Sequence, residues 1–295
     1  MSKFVRHIAG VMNGAVAAAS YGTNPLFTLP LYSMGVGTNS VLFYRYAFAV
    51  IIYGIWLKCF KKISLNISLM ELFPVTILGI LFSLSSLTLF EAFKYIEAGI
   101  ACTILFIYPV MVAVLMAIFF KEKLTKTVLS AIGLTSVGIL LLYNGKPDSC
   151  LNLYGVGIVL TSALMYALYI VGVKNIKTVR RINSAKMSFY VMLSGMLVYI
   201  YNLKFCTQLQ ILDKPFAWVL VICLALFPTI ISIETITIAI KLIGSTKTAI
   251  LGALEPLTAI FFGVLLFQEQ LTVRIVCGVV LILLGVFLIV TRKKS

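Results

Sequence analysis

The chain has 295 residues, 61% of them hydrophobic and only 11% charged, with a mean hydropathy of +1.10. A soluble domain averages roughly 45–50% apolar and about 25% charged residues, so the composition excludes a soluble globular fold and indicates a polytopic helical membrane protein. The net charge of +15 does not call for nucleic acid, because the Lys and Arg residues cluster at the ends of apolar segments, where membrane orientation accounts for them.

A membrane-spanning helix needs about 20 predominantly apolar residues, and ten such segments are predicted. The first, 8–32, carries Gly10, Gly14 and the run Ala15 to Ala19, which allow close helix approach, then Ser20, Tyr21 and Asn24. Lys3 and Arg6 precede it, but the apolar run is too long for a signal-peptide core and no small-residue cleavage site follows, so it reads as an uncleaved first span. The second, 41–57, opens with Phe43-Tyr44-Arg45-Tyr46, and the third, 72–93, ends beside Glu91 and Lys94. Segment 98–119 contains Tyr108-Pro109, and 127–143 closes the first half. The second half holds 153–173 with Tyr166 and Tyr169, 186–202, 216–240 with Pro228 and Glu234, 247–267 with Glu255-Pro256, and 273–291. The connections are short and hold most of the charge.

Two stretches repeat without a gap, 147 residues apart. Ala92-Phe93-Lys94, Pro109, Phe120, Glu122, Leu124-Thr125 and Gly138 match Ala239-Ile240-Lys241, Pro256, Phe267, Glu269, Leu271-Thr272 and Gly285. Two repeats are therefore expected, 1–147 and 148–295. With five spans in each, the second half starts on the opposite membrane face and is inverted relative to the first. Charge supports the arrangement. With the N-terminus inside, 18 of the 24 Lys and Arg residues fall on cytoplasmic ends and 6 on outer ends, which places both termini in the cytoplasm. The expected fold is thus all-α and integral to the membrane, with ten transmembrane helices as two inverted five-helix repeats. A plasma membrane, most simply a bacterial inner membrane, suits it.

The ordered set Ser20-Tyr21-Gly22-Thr23-Asn24, Phe43-Tyr44-Arg45-Tyr46, Ala92-Phe93-Lys94-Tyr95, Pro109 and Glu122, continued by Gly155, Ala163 to Tyr169, Leu254-Glu255-Pro256 and Glu269-Gln270-Leu271, resembles the drug/metabolite transporter superfamily, specifically an EamA-type ten-helix permease. The likeness covers nearly the whole length. It implies movement of small metabolites such as amino acids, with some relatives carrying sugar nucleotides or lipid precursors. Two departures stand out: Tyr21 occupies a place where the family often has Trp, and Tyr108 precedes the proline where the second half has Glu255. The acid is present in one half only.

Glu255 lies some eight residues into its span, near the bilayer midplane. An ionisable group there costs about 2.5–3.5 kcal/mol on insertion scales and marks a functional site by default. Pro256 removes a helix hydrogen bond beside it, freeing a carbonyl to face a cavity. Substrate recognition, proton coupling and a purely structural protonated Glu are the open readings. Glu234 is a second intramembrane acid, with Thr229, Ser232, Thr235 and Thr237 nearby. Tyr21, Tyr108, Tyr166 and Tyr169 fall inside spans, where a phenol needs a partner; with Ser20 and Asn24 they form a polar-aromatic wall or, alternatively, packing. Pro109 and Pro256 are expected helix breaks. Arg45, Lys94 and Lys241 are read as gating groups or as snorkelling anchors at helix ends, with a local Glu91–Lys94 ion pair.

The absence of a GxxxxGK[ST] loop excludes ATP as the energy source. The lone histidine, His7, and the lack of a GxSxG elbow or metal-ligand spacing argue against an enzyme, and no cofactor is expected. Of the six cysteines only Cys150 and Cys206 fall near outer loops, where a disulfide is chemically allowed. The expected function is a secondary transporter of a small metabolite by alternating access, in the export direction, with coupling to protons through Glu255 or Glu234 and facilitated diffusion as the two open energy schemes; a flippase or exporter of a lipid or of a lipid-linked or nucleotide sugar precursor is the alternative. Its partners are the substrate and membrane lipids. A monomer is sufficient, and dimerisation would be an addition.

Overall fold

A computed structural model describes residues 3–96, 98–142, 152–267 and 272–291, and among these the regular structure is helical. Lys146, Cys150 and the segment 268–271 with Glu269 lie outside the described residues. The first half contains α1 (Lys3–Tyr21), α2 (Asn24–Ser33), α3 (Thr38–Ile55, continued by a π-turn over Trp56–Phe60), α4 (Leu69–Ala92), α5 (Ala98–Leu105), α6 (Tyr108–Phe120) and α7 (Lys126–Leu142). The second contains α8 (Leu153–Asn175), the short α9 (Lys177–Arg181), α10 (Ser184–Asn202), α11 (Pro215–Ala225), a π-turn over Leu226–Ile231, α12 (Ser232–Ile243), α13 (Ser245–Leu251), α14 (Leu254–Phe267) and α15 (Val273–Thr291). Among the described residues four helical stretches are long and apolar enough to cross a membrane: Thr38–Phe60, Leu69–Ala92, Leu153–Asn175 and Pro215–Ile243. Tyr108–Phe120, Lys126–Leu141 and Val273–Leu288 are shorter apolar helices.

Three expected spans are interrupted. The first breaks at Gly22-Thr23, where the Thr23 hydroxyl donates to the Ser20 carbonyl at 2.6 Å and Pro25 occupies the first turn of α2. The fourth breaks after Leu105 and the ninth after Leu251. In both of these the proline stands in the first turn of the new helix, with Pro109 at the start of α6 and Pro256 at the start of α14. A proline there loses no intrahelical bond. It starts the second half-helix, and the break itself lies a few residues earlier, so the expected loss of a mid-helix hydrogen bond at Pro256 does not occur. Pro228 behaves differently. It falls within the π-turn between α11 and α12, where Thr229 donates its hydroxyl to the Leu224 carbonyl at 2.7 Å, a local loosening of the ladder that a missing N–H permits.

Small residues set the helix contacts. A Cβ on Gly79 of α4 would come within 2.8 Å of the Val191 carbonyl of α10, and one on Gly195 within 2.5 Å of Tyr46. Ser85 and Ser162 join α4 to α8 at 3.1 Å, and Ser232 donates to the Ala17 carbonyl to join α12 to α1 at 3.1 Å. Between α7 and α15 the contacts are reciprocal. A Cβ on Gly138 would meet the Gly278 carbonyl and Ile282, both at 2.8 Å, while one on Gly285 would meet Thr135 at 2.6 Å and the Ala131 carbonyl at 3.0 Å. Later positions on α7 thus face earlier positions on α15, so the two helices run antiparallel. A second reciprocal pair joins α3 and α10: Tyr44 of α3 donates to the Gln210 carbonyl beyond α10 at 2.9 Å, and Tyr190 of α10 donates to the Leu65 carbonyl beyond α3.

Candidate functional site

The breaks in α5–α6 and α13–α14 face one another. Glu255, the second residue of α14, donates its backbone N–H to the Gly252 carbonyl at 2.9 Å across the break, and its carboxyl stands at a helix N-terminus, where the backbone dipole favours negative charge. The Tyr108 hydroxyl, at the start of α6, stands within hydrogen-bonding reach of that carboxyl. The hydroxyl fits only because residue 252 has no side chain: a Cβ there would lie 1.5 Å from it. Gly22 serves the same purpose on the other side, since a Cβ on it would lie 2.5 Å from the Glu255 carbonyl oxygen. The end of α1 therefore packs directly against the backbone that carries the acid.

Aromatic rings extend from this point. Tyr108 meets Tyr166 edge-on at 4.7 Å, Tyr166 stacks on Tyr21 at 6.3 Å, and Tyr166 and Tyr169 lie parallel at 6.4 Å on one face of α8. Phe82 of α4 closes the row against both α8 tyrosines at 6.0 and 5.0 Å. The Tyr169 hydroxyl reaches Thr237 of α12 at 3.3 Å. All four tyrosines are buried.

Arg45 stands at the other end of the row. It is wholly buried in the middle of α3, where the expectation was a residue at the outer mouth of a span. Its Nε donates to Thr229, one terminal nitrogen donates to Asn24 at 3.0 Å, and the other donates to the Pro228 carbonyl at 2.9 Å. Its guanidinium lies 5.9 Å from the Tyr21 ring centre, 5.7 Å from that of Tyr46 and 5.8 Å from that of Phe90. Such contacts between cation and ring face are attractive, more so when desolvated.

The structure thus brings Glu255, Tyr108, Tyr166, Tyr169, Tyr21, Asn24 and Arg45 into one connected region. Other expected residues lie apart. Ser20 donates its hydroxyl to the Val16 and Ala17 carbonyls of its own helix at 2.7 and 3.1 Å. Glu234 stands beside the Tyr53 phenol on the α3 side, and among its expected hydroxyl neighbours Thr235 bonds back to Ile231 and Thr229 serves Arg45. Lys94 pairs with Glu91 at 2.7 Å on an exposed face, and Lys241 donates to the Ile182 carbonyl at 2.6 Å. Gly22, Phe82, Ser86 and Gly252 belong to the region and were not expected in it. Gly252 carried a faint signal, a glycine three residues before an intramembrane acid, whereas Phe82 looks like any apolar residue of its helix.

A separate lateral groove of about 410 Å³ opens between α1 and α14, lined by Ala15, Val16, Ala19, Leu254, Leu257, Thr258 and Phe261. No group of three or more His, Cys, Asp or Glu side chains able to hold a metal occurs among the described residues.

Comparison with known proteins follows the duplication. The chain matches the EamA-like transporter family twice, over residues 8–144 and 153–291. It is 23% identical over 254 residues to an uncharacterized transporter of Archaeoglobus fulgidus, covering 84% of this chain and 87% of that protein. It is 25% identical over 224 residues to an uncharacterized transporter of Synechocystis, covering 74% of this chain and 66% of that protein. A solved crystal structure, 17% identical, superposes with a TM-score of 0.77 and covers 95% of this chain and 96% of its own; that likeness concerns the fold.

Proposed function

The chain belongs to the EamA-like transporter family and is a multi-pass transporter of the plasma membrane, and from that premise we propose that it is a secondary transporter. It moves a small metabolite, such as an amino acid or related compound, by alternating access between two inverted halves, in the export direction and coupled to protons at Glu255. One observation carries the reading: Tyr108 and Glu255, equivalent positions of the two repeats, meet each other at the starts of two half-helices inside an aromatic enclosure. Broken helices whose termini converge on one acid are the arrangement that transporters use for midplane sites. The antiparallel, reciprocal packing of α7 with α15 supports inversion of the halves, the shared break of α5–α6 and α13–α14 supports equivalent fourth and ninth spans, and the Lys and Arg distribution supports cytoplasmic termini. One carboxyl reached from either side in turn suffices for proton coupling, and the Tyr108 hydroxyl can hold it in either protonation state by donating to it or accepting from it.

The test is metabolite profiling of cells and medium with wild-type protein and Glu255→Gln at matched membrane expression. The proposal expects a small molecule whose distribution shifts with wild type alone. Full activity of Glu255→Gln would remove the acid from the mechanism. A second reading, export of a lipid or lipid-linked sugar, is favoured by the apolar groove between α1 and α14, whose lining includes Leu254 and Leu257 on either side of Glu255-Pro256 in sequence. Altered lipids with unchanged metabolites would move it to first place.

A further inference from the structure

We infer that Arg45 and its neighbours form a recognition site for a single carboxylate group of the transported molecule. The inference deepens the transporter reading and rests on it for the word "transported"; the site itself stands on the geometry around Arg45. Among the described residues Arg45 is the one charged side chain in the fully buried set. Its three hydrogen bonds go to a hydroxyl, an amide oxygen and a backbone carbonyl, all neutral. A buried charge normally sits with an opposite charge, and here none of the bonded partners supplies it. A guanidinium has five N–H donors, so two remain unassigned.

The surroundings lack acceptors as well. The Asn24 amide nitrogen, the Ser86 hydroxyl, the Tyr46 hydroxyl and the Thr28 hydroxyl are all buried without a hydrogen-bond partner. These are not scattered. Asn24 is bonded to Arg45 through its oxygen, so its idle NH2 stands beside the guanidinium. Tyr46 presents its ring to the guanidinium at 5.7 Å. Ser86 stands within hydrogen-bonding reach of the Tyr21 and Tyr46 hydroxyls, so these three can turn toward one another, whereas the Asn24 NH2 and the Thr28 hydroxyl, one turn beyond Asn24 on α2, are left unpaired. Buried polar groups are ordinarily paired, so an uncompensated guanidinium with two unassigned N–H groups and an unpaired Asn24 NH2 beside it calls for an anionic acceptor. A carboxylate supplies two oxygens in the plane of the guanidinium fork and one negative charge. A phosphate dianion would call for a second cation, and none is buried here among the described residues. The site is closed in this conformation, as a site reached by alternating access is between openings. The aromatic row from Tyr21 to Tyr108 borders it, so an aromatic or aliphatic body attached to the carboxylate has a wall to lie against.

The purified full-length protein in detergent tests the site directly, with phenylacetate as probe and phenylacetamide and inorganic phosphate as comparisons at constant ionic strength. Thermal stabilisation is read as a function of probe concentration. The inference expects phenylacetate to stabilise the protein, with at least tenfold weaker response to phenylacetamide and to phosphate. Arg45→Gln should lose the difference between acid and amide. Because a buried substitution can disturb folding, Asn24→Asp is the second variant. It places an internal carboxylate on the guanidinium, so it should raise the melting temperature of the ligand-free protein and abolish the response to phenylacetate. Gly133→Ala, outside the region and with open space at its Cβ, should keep the full response; because binding and not transport is read, failure of this site is separate from failure of the coupling mechanism. Equal responses to acid and amide, a response retained in Arg45→Gln, a stronger response to phosphate, or lower stability with intact binding in Asn24→Asp would each overturn the inference.

Discussion

Tyr108 and Gly252 fit as a pair: the phenol of one fills the volume that a side chain on the other would take. The built Cβ on residue 252 falls 1.5 Å from the hydroxyl oxygen and 2.8 Å from the ring carbon that bears it. Tyr108 cannot swing aside, because it is held by Tyr166 at 4.7 Å and Phe106 at 5.6 Å. Gly252→Ala is therefore expected to destabilise by about 1–3 kcal/mol, the usual cost of overpacking, and to release Glu255 from its phenol. Removing the hydroxyl first should recover part of that loss. In a Tyr108→Phe background the Gly252→Ala penalty is expected to fall by roughly half, a coupling that a thermal-melting double-mutant cycle resolves. Strictly additive penalties would mean that the two residues do not share this volume.

At the level of helices, the sequence announced the repeat but only part of the breaks. The match of Pro109 with Pro256 and Gly138 with Gly285 is written in residue identities, and the element boundaries of the two halves agree with it. The interruption after Leu105 is not visible in hydropathy, because apolar and aromatic residues continue through it, whereas those at Gly22-Thr23 and after Leu251 are marked by Ser20, Thr23 and Asn24 and by Gly252 and Glu255 inside otherwise apolar segments. Proline pointed to the right neighbourhood with the wrong mechanism: it was read as breaking a helix from within, whereas it opens the next one. Tyr166 and Tyr169 were legible as a shared helical face from their spacing alone. Arg45 was not legible as a buried group, since its burial depends on Asn24, Pro228 and Thr229, which come from distant parts of the chain. The glycines of α7 and α15 turn the repeat into a measurable symmetry. Gly138→Leu and Gly285→Leu should lower the melting temperature by similar amounts, because each would press a side chain on the backbone of the partner helix at equivalent depth. Gly133→Ala on the same helix meets nothing within 4 Å and should be neutral or stabilising by up to about 1 kcal/mol, the helix-propensity difference. A large loss at only one of the two equivalent positions would contradict the reciprocal packing.

At the scale of the whole molecule, the proposed mechanism depends on the two halves facing opposite ways. In the proposed arrangement a five-span unit repeated once is inverted, and the charge pattern agrees with it: Lys121, Lys123 and Lys126 stand before and at the start of α7, while Arg274 is the one basic residue at the start of α15. Positive residues favour the cytoplasmic side, so equivalent positions should lie on opposite faces. Thr127 and Arg274 are such a pair, 147 residues apart, in the first turns of α7 and α15. In a chain whose six cysteines are replaced, Thr127→Cys is expected to react with a membrane-impermeant maleimide only after the cells are permeabilised. Arg274→Cys should react in intact cells. Labelling of both positions from one side would require an even number of spans between them and would rule out the inverted arrangement. Alternating access would go with it, since inversion is what makes the inward-open and outward-open conformations mirror forms of one structure. The reciprocal hydrogen bonds from Tyr44 to the Gln210 carbonyl and from Tyr190 to the Leu65 carbonyl then acquire a defined meaning. Each ties a loop of one half to a helix of the other; in the proposed inverted arrangement the two ties lie at opposite membrane faces, so opening one side can release one tie while the other holds.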